Sequence, residues 1–98
     1  MLTKKEILQI LHNELPVLKE RFYVKEIGLF GSIAKGEEEE TSDIDILVTL
    51  KDENNDLFNF LDLKYYLESV IHKKVDLVMK DAIKPRIKDR ILKETIYA

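Results

Sequence analysis

The run Ile44-Asp45-Ile46-Leu47-Val48-Thr49-Leu50 constrains this chain more than any other segment, because it reads as a β-strand with two unlike ends. Its β-branched and aliphatic residues suit a pleated surface. Their density implies burial on both faces toward the end of the run, as in a strand inside a covered sheet. The start is acidic instead, with Asp43 and Asp45 flanking Ile44. The fold must therefore bury one end of this strand and leave the other open.

The flanking segments supply the cover. Ile7, Leu11, Leu15 and Leu18, joined by Leu8 and Ile10, recur at helical spacing. Thr3 with Glu6 three residues on forms a capping-box pattern, and Pro16 is expected to kink or end this first helix. Tyr23 to Phe30 is a β-rich run that stops at Gly31, and Ser32 to Lys35 can form about one helical turn before Gly36. After the acidic strand, Lys51 to Asp56 is a polar turn. Leu57, Phe60, Leu61, Tyr65, Leu67, Val70 and Ile71 then mark a further helix, with Asn55 or Asp56 as its cap. Val75 to Met79 is a short strand. Pro85 suits the first turn of a last amphipathic helix with Ile87, Ile91 and Leu92 inward, and Thr95 to Tyr97 can add a small edge strand. This order predicts an α/β or α+β fold, a three- to four-stranded mixed sheet with helices packed against it, in a single domain over residues 1–98.

Composition narrows the function. Residues are 45% hydrophobic and 36% charged, with three Gly and two Pro, which is the make-up of an ordered, charge-rich domain. Sixteen Lys plus Arg against nineteen Asp plus Glu give a net charge of −3, which disfavours a long nucleic-acid partner whose binding rests on phosphate neutralisation. The absence of cysteine removes disulfides, thiolate metal sites and a Cys nucleophile. No segment approaches the ~20 apolar residues of a membrane span, so a soluble, cytoplasmic and unprocessed protein is expected.

The chemistry concentrates in Gly31-Ser32, a ten-residue gap, and Asp43-Ile44-Asp45. Alternate side chains of a strand share a face, so Asp43 and Asp45 project together while Ile44 points into the core. Hard, paired oxygen ligands of this kind suit Mg²⁺, which takes one or two carboxylates and completes its octahedron with substrate phosphate oxygens. Gly31, lacking Cβ, lets a phosphate approach the backbone, and Ser32 offers a hydroxyl and a backbone N–H. There is neither GxxxxGK[ST] nor GxGxxG, so the two commonest nucleotide-binding loops are excluded. Asp76, between Val75 and Leu77, can reach the same site from a neighbouring strand. His12 and His72 are assigned no chemistry, and Phe58, Phe60, Tyr65 and Tyr66 read as core or interface residues. The loop Glu37 to Glu40 reads as solvated.

Leu29-Phe30-Gly31-Ser32, then Ser42-Asp43-Ile44-Asp45-Ile46-Leu47-Val48, and later Val75-Asp76-Leu77-Val78 together resemble the minimal nucleotidyltransferases of the DNA polymerase β-like superfamily. The resemblance covers almost the whole chain. It implies a two-Mg²⁺ site with Asp43 and Asp45 as ligands of both ions and Asp76 as a ligand of the ion on the acceptor side. It implies a nucleoside triphosphate donor held by Gly31, Ser32 and Lys35, with ATP as the expected nucleotide. Many relatives carry Arg within the Gly-Ser helix where this chain has Ile33 and Lys35; lysine keeps the charge without the bidentate grip. Members are commonly paired with a HEPN-type toxin, and some are antitoxins that attach AMP to a toxin tyrosine, which implies a hetero-oligomer. The alternatives are a non-catalytic antitoxin that occludes its partner and a nucleotide-binding regulatory module. Only 22 residues follow Asp76, so a partner protein is expected to supply the acceptor.

Overall fold

The computed structural model describes residues 2–37 and 43–98, and everything below concerns these. Helix α1 spans Lys4–Arg21. The expected capping box is present: Thr3 Oγ1 accepts from the Glu6 N–H, and Glu6 Oε1 accepts from the Thr3 N–H, each at 3.1 Å. Pro16 does not end the helix, which continues to Arg21. Proline removes only the N–H that would reach the carbonyl of His12. Both residues are exposed, so water can satisfy that carbonyl, while Ile7, Leu11 and Leu18 keep the inner face buried.

Strand β1 (Val24–Leu29) runs into the short helix α2 (Gly31–Ala34), and β2 covers Ile44–Leu50. A single 3₁₀ turn, Asp52–Asn54, leads to helix α3 (Leu57–Ile71), capped by Asp56, whose Oδ1 accepts from Asn59 N–H at 2.9 Å. Strand β3 (Val75–Met79), a second 3₁₀ turn (Lys80–Ala82), helix α4 (Pro85–Glu94) and strand β4 (Ile96–Tyr97) complete the described chain. The sheet order is β3-β2-β1-β4. β1 is antiparallel to β2 and β4, while β2 and β3 are parallel, joined across the sheet by α3. The mixed four-stranded α+β architecture and the terminal edge strand agree with the sequence.

Alternation along β2 sorts its side chains. Ile44, Ile46, Val48 and Leu50 enter the main core with Ile27, Leu29, Val75 and Leu77, beneath α1 and α3. Leu47 is buried on the opposite face, which bears out the expectation of double coverage there. The inner stripe of α3 differs from the one expected. Leu63, Leu67 and Ile71 are buried, whereas Leu57 and Tyr65 are 65% and 59% exposed. Leu63 recurs with Leu67 and Ile71 every four residues, so facing it to the core turns Leu57 and Tyr65 outward. On α4 no residue is fully buried; Ile87, Ile91 and Leu92 are half-covered, because this helix closes the sheet's second face only in part. Tyr66 packs on Phe22 with ring centroids 5.0 Å apart and donates its hydroxyl hydrogen bond to Glu14. No helix among the described residues is long and apolar enough to cross a membrane.

Candidate active site

The site forms where the starts of two parallel strands meet the end of an antiparallel one. β2 and β3 are aligned so that Asp45 and Asp76 are direct partners, and the Ile44 N–H donates to the carbonyl of Lys74 at 2.9 Å to fix that register. Side chains at paired positions emerge on the same face about one strand spacing apart, roughly 4.8 Å between backbones. Two carboxylates separated by 31 positions in the sequence thus become neighbours. Asp45 is half-buried in the central strand, while Asp76 is exposed on the edge strand β3 and Asp43 is exposed one residue before β2 begins.

The turn from β1 into α2 closes over Asp45. Phe30 N–H donates to the Asp45 carbonyl at 3.1 Å, and Gly31 follows with φ +73°. A β-carbon on Gly31 would lie 2.1 Å from Asp45 Oδ2, well inside any tolerable contact. This changes the reason for the glycine: the space beside its Cα belongs first to the Asp45 carboxylate, where sequence reasoning reserved it for phosphate. Ser32 is half-buried in the first turn of α2, and its carbonyl accepts from Glu37 N–H at 2.8 Å. Glu37 is exposed, and the remainder of the acidic loop, residues 38–42, lies outside the described residues.

Crowding is written into the acidity of Asp45. Burial raises its carboxyl to about 6 from 3.8, helped by the charge of Asp76, a hydrogen bond shared with Asp76, and the charges of Asp43 and Glu94. Glu94, at the end of α4, was missed in the sequence. It lies 49 positions beyond Asp45 at the end of a polar helix, with no spacing that ties it to the acids. Lys35, the capping residue at the end of α2, directs its ammonium to Glu94 Oε2 at 3.2 Å. The structure therefore brings Gly31, Ser32, Asp43, Asp45 and Asp76 to one end of the sheet, with Lys35 at its margin bound to Glu94.

The donor set fits Mg²⁺. Among the described residues no three acidic or histidine side chains form a closed metal nest. Mg²⁺ does not require one, since a carboxylate pair with substrate oxygens and water completes its shell. Burial, with the neighbouring charges of Asp76, Asp43 and Glu94, pushes the Asp45 carboxyl up to about 6, and a cation bound beside these acids would favour their ionised forms.

The family model of the nucleotidyltransferase domain matches residues 13–98. The protein adenylyltransferase MntA of Thermococcus cleftensis is 46% identical over 97 residues, covering 99% of this chain and 97% of that protein. A solved structure assigned as a minimal nucleotidyltransferase superposes with a TM-score of 0.81 at 29% identity, covering 97% of this chain and 95% of that one. A toxin–antitoxin crystal structure with AMP-PNP gives a TM-score of 0.68 at 26% identity, over 98% of this chain and 72% of that one. The fold is shared as well with a structure of a tri-AMPylated HEPN toxin of Shewanella oneidensis in complex with its MNT antitoxin, at TM-score 0.64, 24% identity, and 92% and 70% coverage. The turn at Gly31, the acidic strand start and the match along nearly its full length place this chain in the nucleotidyltransferase domain family, among its minimal members.

Proposed function

We propose that this chain is a protein adenylyltransferase that moves AMP from ATP onto a tyrosine hydroxyl of a HEPN-type toxin in the cytoplasm, and so acts as its antitoxin. The observation that carries the reading is the placement of Asp45 against Gly31 with Asp76 at its side, an acidic pair beneath a glycine turn. Support for the acceptor comes from the T. cleftensis relative, which is a protein adenylyltransferase, and from the structural relatives that pair an antitoxin of this fold with a toxin.

Asp43, Asp45 and Asp76 would hold two Mg²⁺ ions, which supply charge neutralisation on the triphosphate and the leaving pyrophosphate and acidify the acceptor hydroxyl. The chain's own groups do the rest. Gly31 and Ser32 present backbone and hydroxyl to the phosphates, with Lys35 as the adjoining cation. Ile44, buried at 2% exposure between Asp43 and Asp45, fixes the start of β2 in the core and so holds the two acids in place against their repulsion. Asp76, exposed on β3, would hold the ion on the acceptor side and help to take the hydroxyl proton. The tyrosine oxygen forms a bond to the α-phosphorus, the bond from that phosphorus to the bridging oxygen breaks, and pyrophosphate leaves.

Exposed Leu57, Phe58 and Tyr65 on α3 favour a second reading, binding of a partner by surface occlusion without turnover. Mass spectrometry of the co-expressed toxin separates the two. Native enzyme is expected to add one or more AMP units and Asp43→Ala none. A toxin left unmodified yet neutralised by both would establish occlusion.

A further inference from the structure

The Lys35–Glu94 pair stands at the margin of the site, and the reaction above does not use it as it stands. The ammonium that should meet the triphosphate is held by a carboxylate at 3.2 Å. The two partners are unequally placed: the Lys35 side chain is 48% exposed on a flexible stem, and that of Glu94 is 19% exposed at the end of α4. Glu94 cannot easily follow a moving lysine. Immediately after it, Thr95 Oγ1 donates to the Ile91 carbonyl at 2.7 Å, and Ile96 and Tyr97 enter the sheet opposite Leu29 and Gly28. The backbone there sits so closely on β1 that a β-carbon on Gly28 would lie 2.7 Å from the Ile96 carbonyl oxygen. Glu94 is thus anchored through the strand that leads into the Gly31 turn, and its charge is felt at Asp45.

We propose that Glu94 is a latch on Lys35: it occupies the lysine when no nucleotide is bound, and the triphosphate must exchange with it to gain the ammonium. The inference rests on the reading that the Gly31–Ser32–Lys35 wall receives a triphosphate. A lysine ammonium is a point charge with rotatable donors, so it changes partner without losing a fixed fork geometry. With the Lys35 side chain about half in solvent, the pair is screened on that side, which makes the exchange reversible. The exchange still leaves Glu94 charged, poorly hydrated and facing the same acids, so the latch lowers nucleotide affinity and adds to the site's selectivity for a ligand that brings its own cation. Glu94 acts through Lys35 and is a positioning residue, touching neither substrate nor metal.

The test is ATP binding with Mg²⁺ by calorimetry, together with KM and kcat, for the full chain and for Glu94→Gln, Lys35→Ala and the double variant. Glu94→Gln is expected to tighten ATP binding about fivefold and to lower KM with kcat kept, a gain that disruption of structure cannot imitate. Adding Lys35→Ala should erase the gain. In the wild-type chain, the Lys35 Nζ resonance followed by ¹⁵N NMR should move when ATP and Mg²⁺ are added, which tests the latch even if Glu94→Gln fails to fold. An unmoved resonance, an unchanged or weaker affinity in folded Glu94→Gln, or a gain that persists in the double variant overturns the latch while leaving the transferase reading in place. A wild-type chain that binds no ATP with Mg²⁺ overturns the reading of the wall and the latch with it.

Discussion

The Asp45 carboxylate occupies the place where Gly31 would carry a side chain, with Oδ2 2.1 Å from an ideal β-carbon. This candidate metal ligand and the candidate phosphate-binding turn are therefore a single steric unit, and no side chain can be added at Gly31 without moving Asp45.

Gly31→Ala is expected to abolish transfer and lower stability by about 2–4 kcal/mol, combining a left-handed backbone cost of roughly 1–2 kcal/mol with displacement of a half-buried carboxylate. Gly36 is the internal control. Its φ is +76° but nothing lies within 4 Å of its missing β-carbon, so Gly36→Ala should cost only about 1 kcal/mol and retain activity. Thermal melting beside a labelled-nucleotide transfer assay reads both. Equal activity losses in the two variants would show that backbone strain, not the Asp45 contact, is what matters.

Asp45→Asn should stabilise the metal-free protein at neutral pH. The folded-state pKa is raised, from 3.8 to about 6, so folding favours the protonated acid. The associated stability is present in full below the unfolded value and is lost as pH rises through the folded one. At pH 7 the ionised carboxylate is thus a burden, which the amide removes. The full shift corresponds to about 3 kcal/mol, and solvent screening of this half-buried group reduces that to about 1–2 kcal/mol. Melting curves at pH 7.5 and pH 3.5, in chelator, should show the advantage at the higher pH and little at the lower. An advantage independent of pH would assign the effect to packing.

Triphosphate binding should require a divalent cation, because Asp43, Asp45 and Asp76 without one repel the phosphates as well as each other. Calorimetric titration with ATP in Mg²⁺ and in chelator provides the comparison. Equal affinity in both would remove the metal from the model of the site. With Mg²⁺ present, apparent cation affinity should fall below about pH 6, where Asp45 takes up a proton.

The double change Asp43→Ala, Asp45→Ala should eliminate turnover and leave the fold intact, since Ile44, Ile46, Val48 and Leu50 still anchor β2 in the core. Circular dichroism with the transfer assay distinguishes a lost site from a lost fold. Transfer at the native rate would locate the chemistry elsewhere.

The strands were legible in the sequence because their message is local. The bounds of β2, its acidic start and the capping residues Thr3 and Asp56 depend on neighbours within a few positions, and the structure agrees with each. What escaped depends on tertiary placement. The true core stripe of α3 was hidden by Leu57 and Tyr65, apolar residues that periodicity counts equally with Leu63 but that the fold turns to solvent. Pro16 carries a strong local signal, yet the buried face of α1 outweighs the loss of one solvent-side hydrogen bond. The candidate site residues Gly31, Asp43, Asp45 and Asp76 were proposed from residue type and spacing, and the structure brings them to one end of the sheet. Glu94 could not be read that way, because only the docking of α4 and β4 onto β1 brings it near Asp45.

The parallel pairing of β2 with β3 also bears on how the molecule assembles. The antiparallel strands β1 and β2 are close in sequence, whereas the Asp45–Asp76 partnership waits until α3 has folded back across the sheet. Loop closure must precede that contact, so it should be among the last to form on the folding pathway. Nascent chains would then meet the repulsion between these acids only after most of the core has condensed, at a stage when a passing Mg²⁺ could speed the final step without having guided any of the earlier ones.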